Sequence, residues 1–233
     1  MYVYVRVGVG VNMRCMIRIW LLIYIMLVIN TNIVHRYPSL LLLHPPIAAA
    51  LLRYRSDRVP QAHAKAQSYQ AGYTGAMFPW ESAATGVEVC PGWASTGQLE
   101  QHITGDIAFA AQQYYYATAN RSWLEMAYPG LLRDTADFWA SRVVWEGGQA
   151  HIKHVIPPDE YATGDDSVYT NFVAKQNLRH ATEAAQLLGR SVNPQWANVS
   201  AALDILFDPQ QGIHPEFAGY KGQKIKQADV VSE

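Results

Sequence analysis

Two short segments, far apart in the chain, carry residue types that can cleave and hold a sugar. Pro157-Pro158-Asp159-Glu160 places a carboxyl behind two prolines, and Lys226-Gln227 supplies an ammonium and an amide. Consecutive prolines fix φ and remove backbone donors, so they favour a rigid turn that aims the next side chain. Lysine and glutamine donate several hydrogen bonds, which suits the hydroxyls of a sugar ring. Together the two segments predict a site that acts on glycosidic bonds.

Each segment also has a simpler interpretation. Asp159-Glu160 can be a solvated turn that follows the prolines, and Lys226-Gln227 can be an exposed basic turn after Lys221 and Lys224. Spacing alone does not decide between these interpretations and the chemical ones.

Four further residues are candidates for contact with a sugar: Trp80, Glu81, Glu100 and His102. A tryptophan ring can stack on a sugar face while a neighbouring carboxylate accepts from hydroxyls, although loop tryptophans often fill a core. Glu100 and His102 open a predicted helix, where a carboxylate gains from the N-terminal dipole. The Asp165-Asp166 pair favours a capping cluster before a helix over a metal site. We therefore expect neither a metal nor a cofactor.

Composition narrows the class of partner. Half of the 233 residues are hydrophobic, 16% are charged, and the formal net charge is −1. Such a chain can bury a substantial core, and it has no basic surface for nucleic acid. Seven Trp and fourteen Tyr suit a neutral, polar ligand such as a carbohydrate, while two cysteines provide no disulfide framework.

Residues 1–36 differ from the rest of the chain. An uncharged apolar run, Ile19 to Ile29, follows Arg14 and Arg18, and it is short for a bilayer span. Three interpretations stay open: an uncleaved anchor, an atypical secretory signal, or sequence foreign to the folded domain. A membrane contact or secretion is expected only if this run is a real anchor or signal.

From Tyr37 onward the apolar residues recur with helical spacing. One short hairpin is predicted between Val143 and Val155, with Gly147-Gly148 as its turn. Asn193-Pro194 and Gly189 are typical of a helix start and a helix end. The predicted fold class is all-α. A helix is predicted from Asn177 to Leu188. Four further helices are predicted from apolar residues at helical spacing, which are Ile47, Ala50, Leu51 and Tyr54; Leu99, Ile103, Ile107, Ala111 and Tyr115; Leu132, Ala136, Trp139 and Val143; and Trp196, Val199, Leu203 and Leu206.

Five motifs, in order and in register, resemble glycoside hydrolase family 65. The resemblance covers about residues 37–231 and implies an (α/α)6 toroid, with residues 37–233 forming a partial catalytic domain that is incomplete at both ends. The motifs are Phe78-Pro79-Trp80-Glu81-Ser82-Ala83, Glu100-x-His102-x-x-Gly105-Asp106, Pro158-Asp159-Glu160-Tyr161, Ser167-Val168-Tyr169-Thr170-Asn171 and Lys226-Gln227-Ala228-Asp229.

The resemblance implies roles for some of these residues. It makes Glu160 the general acid of an inverting glycosidase, and it assigns Lys226 and Gln227 to the glucose in subsite −1. Glu88-Val89-Cys90-Pro91 and His214-Pro215-Glu216-Phe217 resemble the animal members that release glucose from glucosyl-galactosyl-hydroxylysine, which implies a cytoplasmic protein. Two alternatives stay open: an inactive carbohydrate-binding relative, and a trehalase or disaccharide phosphorylase of the same family.

Two departures from the family pattern bear on activity. The stretch from Asn30 to Arg36 lacks the family's Trp-Asp run, whose acid helps to hold glucose. The general base is expected after the Lys-Gln-Ala-Asp motif, and the chain ends at Glu233, four residues past Asp229. We therefore expect an incomplete form that has no turnover by itself.

Overall fold

The computed structural model describes residues 33–70 and 72–230, so the apolar run from Ile19 to Ile29 lies outside the described residues. The described part is built mainly of helices, which confirms the predicted helix-rich class. No helix in this part of the chain is long and apolar enough to cross a membrane. The helices are α1 Ile33–Leu43, α2 Pro45–Ser56, α3 Val59–Ser68, α4 Thr96–Leu99, α5 Ile103–Thr118, α6 Arg121–Ala127, a π-helical turn Tyr128–Arg133, α7 Asp134–Arg142, α8 Val168–Leu187 and α9 Pro194–Ala202.

Side-chain caps explain where several helices begin. Ser167 accepts a hydrogen bond from the Thr170 backbone N–H, so α8 starts nine residues before the predicted Asn177. Asn193 caps α9 by accepting from the Gln195 backbone, as the Asn-Pro pair predicts. Leu99 was expected to continue into α5, but it ends the separate short helix α4.

The core lies between α5, α8 and the segments that pack on them. Gly105 of α5 faces Val173 of α8, and a Cβ on the glycine would lie 2.8 Å from a valine methyl, so the two helices touch closely. Trp196 of α9 is 1% exposed, and its indole N–H donates to Asp137 at 2.9 Å. Trp196 therefore adds a buried ring where α9 meets α7 and α8.

A β-hairpin leads into the loop that carries Glu160. Strands β1 (Val144–Glu146) and β2 (Gln149–His151) pair antiparallel around Gly147-Gly148, which confirms the predicted turn. After β2 the backbone of Val155 pairs with that of Gly164, and this closes a loop over residues 156–163, here called the acid loop. The Ile156 N–H donates to the Leu99 carbonyl at 3.1 Å, which fixes the loop to the end of α4.

Candidate functional site

The acid loop and the segment around Lys226 meet at Glu160. The Lys226 ammonium lies 2.6 Å from Glu160 Oε2, and the two side chains are 45% and 30% exposed. The Gln227 side-chain amide donates to the Pro158 carbonyl at 3.0 Å. A carboxyl, an ammonium and an amide therefore converge at one exposed point, although they come from segments 66 positions apart.

This contact raises the pKa of the Lys226 ammonium, chiefly through its hydrogen bond to Glu160. An exposed pair of this kind typically contributes only about 0–1 kcal/mol to stability. The ion pair is therefore not a major contributor to the stability of the fold, and both groups are accessible to a ligand.

Glu88, which was noted above only as part of a motif, positions Trp80 and Glu81. Both oxygens of the Glu88 carboxylate accept from backbone: Oε2 from the Trp80 N–H at 2.8 Å, and Oε1 from the Glu81 N–H at 2.9 Å. Lys65 of α3 donates to the same carboxylate at 2.6 Å. Trp80 itself is 5% exposed, while Glu81 is exposed. Their contact with a sugar stays a prediction.

Glu100 and His102 lie in a buried polar group behind the acid loop. The His102 ring contacts the Asp106 carboxylate through Nδ1, at 2.8 Å, while Nε2 lies 3.5 Å from the Glu100 carboxylate. Tyr169 of α8 donates to the same Asp106 at 2.9 Å. The His102 ring also packs edge-on against both the Trp80 and the Tyr169 rings. This group thus connects α5, α8 and the Trp80 loop.

Burial and charge shift the pKa values of this group. Burial raises the pKa of Glu100 to about 7, and the nearby Glu160 adds to this while His102 opposes it. Burial lowers the pKa of His102, but the attraction of Asp106 and Glu100 outweighs it and raises the value to about 9. His102 is therefore a buried cation near neutral pH. Direct sugar contact by Glu100 and His102 also stays a prediction, and both are almost fully buried.

The prediction that Asp165 and Asp166 cap a helix is wrong, because Ser167 is the cap of α8. Asp165 instead accepts from the His154 backbone at 2.8 Å. Asp166 accepts from the Ile152 backbone at 3.1 Å and contacts the His151 ring at 2.7 Å. Through these hydrogen bonds Asp165 and Asp166 hold together the two segments that flank the acid loop. Within residues 33–70 and 72–230, no group of His, Cys, Asp and Glu could hold a metal ion.

Two cavities lie away from Glu160. One, of about 780 Å³, is lined by residues between Asp204 and Gly222, and the other, of about 470 Å³, lies between α8 and α9. The ion pair of Glu160 and Lys226 does not line either of them. The candidate site is placed at Glu160 and Lys226 by the contacts of their side chains.

The chain belongs to glycoside hydrolase family 65. The model of the "Glycosyl hydrolase family 65 central catalytic domain" matches residues 33–232. The chain is 49% identical over 203 residues to the protein-glucosylgalactosylhydroxylysine glucosidase of Dictyostelium discoideum, covering 83% of this chain and 28% of that protein. It is 45% identical over 196 residues to the kojibiose hydrolase of Mucilaginibacter mallensis, covering 83% and 29%.

A solved structure has a similar fold. It is described as a putative kojibiose phosphorylase from human microbiome, and it superposes with a TM-score of 0.68 at 20% sequence identity. The match covers 82% of this chain and 30% of that one. The chain thus spans less than a third of the length of the proteins that it matches, and the likeness to this structure concerns the fold alone.

Proposed function

We propose that this chain carries the proton-donating part of an inverting glucosidase site that releases glucose from an α-glucosidic bond. The proposed substrate is the glucosyl-galactosyl-hydroxylysine unit of collagen-like glycans. The observation that carries the proposal is the contact of Glu160 with Lys226 at the tip of the proline-stiffened acid loop. The similarity to a glucosidase named for that substrate supports the choice.

In this proposal the Glu160 carboxyl gives its proton to the glycosidic oxygen as the bond to glucose breaks. An inverting enzyme needs a second carboxylate about 6.5–9.5 Å away, which activates water on the other face of the sugar. The family resemblance implies a general base after the Lys226–Asp229 segment. Glu160 is half-buried, so it can reach a bound sugar and still be held in place by the loop.

Lys226 and Gln227 are proposed to hold the glucose. The Lys226 ammonium has three donors and is bound to one carboxylate oxygen, so it can turn to a sugar hydroxyl. That exchange would release Glu160 from its ion pair and leave the carboxyl free to carry the transferred proton. Trp80 and Glu81, fixed by Glu88, are proposed to contact the same glucose, and Glu100 and His102 to support it from behind.

We further propose that the described helices form part of an (α/α)6 toroid, in a catalytic domain that begins near Tyr37. Helix pairs joined by short loops, α1 with α2 and α8 with α9, support this arrangement. The fold likeness at a TM-score of 0.68 supports it as well.

A chimera tests the proposed activity. Residues 33–232 would replace the matching segment of the Dictyostelium discoideum relative, whose flanking regions complete the domain. We expect the chimera to release glucose from glucosyl-galactosyl-hydroxylysine, and we expect Glu160→Gln to abolish the release. A folded chimera with the same rate before and after that substitution would rule out Glu160 as the acid.

The same assay separates the alternatives. Hydrolysis gives a rate that does not depend on inorganic phosphate, whereas a phosphorylase requires phosphate and yields glucose 1-phosphate. An inactive carbohydrate-binding relative would bind kojibiose in a titration of the chain and would give a chimera without turnover in either condition.

A further inference from the structure

Two reciprocal hydrogen bonds join the acid loop to the Lys226 segment. The Asp159 carboxylate accepts through Oδ1 from the Lys226 backbone N–H, at 2.7 Å. In return, the Asp229 carboxylate accepts through Oδ2 from the Asp159 backbone N–H, at 2.9 Å. These residues are 67 and 70 positions apart, so the bonds connect segments that the chain itself does not hold together. Asp159 and Asp229 with these two bonds are called the aspartate clasp below.

The clasp is anchored on the core side. Asp159 is fully buried, and Asp229 is half-buried. The Asp229 backbone N–H donates to the Glu216 carboxylate at 3.3 Å, and the Glu216 carbonyl accepts from the Val168 N–H at the start of α8. Because α8 packs on α5, the anchor reaches from the functional turns to the core.

Each partner of the clasp is next to a residue of the proposed site. Asp159 precedes Glu160 directly, and the donor in the other bond is the backbone of Lys226 itself. The ion pair between Glu160 and Lys226 is exposed and too weak to fix two loops. The clasp instead joins backbone N–H groups to carboxylate oxygens at a buried and a half-buried residue, where the lower local dielectric strengthens a hydrogen bond whether or not the acceptor is charged. The clasp therefore decides where the two side chains lie.

We propose that Asp159 and Asp229 are positioning residues, which hold the Glu160 carboxyl and the Lys226 ammonium in reach of one sugar. The effect of the clasp on catalysis rests on the proposed function, whereas its two hydrogen bonds do not depend on that function. Neither aspartate is expected to touch the substrate. What the clasp needs is an acceptor oxygen at each position, and a negative charge is dispensable.

The carboxyl groups of Asp159, Glu216 and Asp229 lie close together around the clasp. One oxygen of Asp159 and one of Asp229 are buried with no hydrogen-bond partner in the described structure. Burial and the nearby carboxylates raise the pKa of Glu216 to about 7 and that of Asp229 to about 6, while the His102 cation opposes the rise at Asp229. Burial, the Asp106 carboxylate and Asp229 raise the pKa of the Tyr169 hydroxyl. A protonated carboxyl keeps one accepting oxygen, so protonation leaves the bonds in place.

Amide hydrogen exchange on the chain tests the clasp without any turnover. In the wild type, the amides of Asp159 and Lys226 should be protected at least about 10-fold over their intrinsic rates. Asp229→Ala should remove most of the protection of the Asp159 amide, whose acceptor it deletes, and Asp229→Asn should retain it because the amide oxygen still accepts. The Lys226 amide donates to Asp159, so its protection should fall less. Asp165→Ala is the matched control, since it removes a similar carboxylate-to-backbone bond from the acid loop but leaves the clasp intact.

Unprotected amides of Asp159 and Lys226 in the wild type would overturn the proposal, whether or not any variant folds. Equal exchange of the Asp159 amide in wild type and Asp229→Ala, with unchanged amides in α5, would overturn it too. In the chimera, Asp229→Ala should lower kcat and Asp229→Asn should restore it. A clasp seen by exchange in a chimera without activity would refute the proposed function and leave the clasp standing.

Discussion

Replacing Glu100 with glutamine should stabilise the protein at alkaline pH. The Glu100 side chain is 0% exposed, and neither carboxylate oxygen has a hydrogen-bond partner in the described structure. Burial is the main reason that its pKa rises from the ordinary 4.5 to about 7. A carboxyl with a raised pKa contributes stability that is present below about pH 4.5 and is lost as the pH rises through about 7.

The size of the effect follows from the pKa. At about 1.4 kcal/mol per pH unit, ionising Glu100 in the folded protein costs about 3 kcal/mol by pH 8. Glutamine does not ionise, and the Glu100 pKa of about 7 already includes the attraction of His102, so the expected gain at pH 8 is about 2–3 kcal/mol. At pH 5 Glu100 is still protonated in the folded protein, and only its ionisation in the unfolded chain separates wild type from variant, so the difference in stability should be below about 1 kcal/mol.

Urea unfolding at pH 5 and pH 8 measures this difference. Glu81→Gln is the control, because Glu81 is an exposed carboxylate in the neighbouring motif and its substitution should change stability equally at both pH values. If Glu100→Gln were less stable than the wild type at pH 8 but not at pH 5, Glu100 would act mainly as the ionised counter-charge of His102, and the reasoning from burial would fail.

Three further substitutions probe packing and anchoring. Gly105→Ala should cost about 1–3 kcal/mol in urea unfolding, because the new methyl meets Val173 at 2.8 Å, and adding Val173→Ala should recover part of the loss. Glu88→Ala should cost about 2 kcal/mol or more in the same assay, because it leaves the Lys65 ammonium without its carboxylate. Lys226→Met should change thermal stability by less than about 1 kcal/mol and should remove kojibiose binding in a titration.

The sequence predicted the helix-rich class because apolar spacing, proline positions and caps are local signals. Asn193-Pro194 is an example, since the cap and the helix start lie in adjacent residues. The start of α8 was placed too late, because Ser167 caps it inside a motif that had been used only to recognise the family. The hairpin at Gly147-Gly148 was predicted because two glycines mark its turn.

The hydrogen bonds and the burial of side chains around the site could not be predicted from the sequence. Glu88 accepts from four donors, yet in the sequence it is one acid in a motif that served only to recognise a subgroup. The bonds of Asp159 and Asp229 join segments about 70 positions apart, and no local pattern predicts such a contact. The burial of Glu100 and His102 also depends on how α5 packs on α8. Such features arise from tertiary packing, which the spacing of residues does not encode.

The most direct test of Glu160 as proton donor compares two leaving groups in the chimera. Departure of a sugar needs a proton, whereas departure of fluoride from α-glucosyl fluoride does not. We expect Glu160→Gln to lower kcat/KM for kojibiose by about 10²–10⁴-fold and to leave the value for the fluoride within about 10-fold. Equal losses on both substrates, or no loss on kojibiose, would contradict the role of Glu160 on which the account depends.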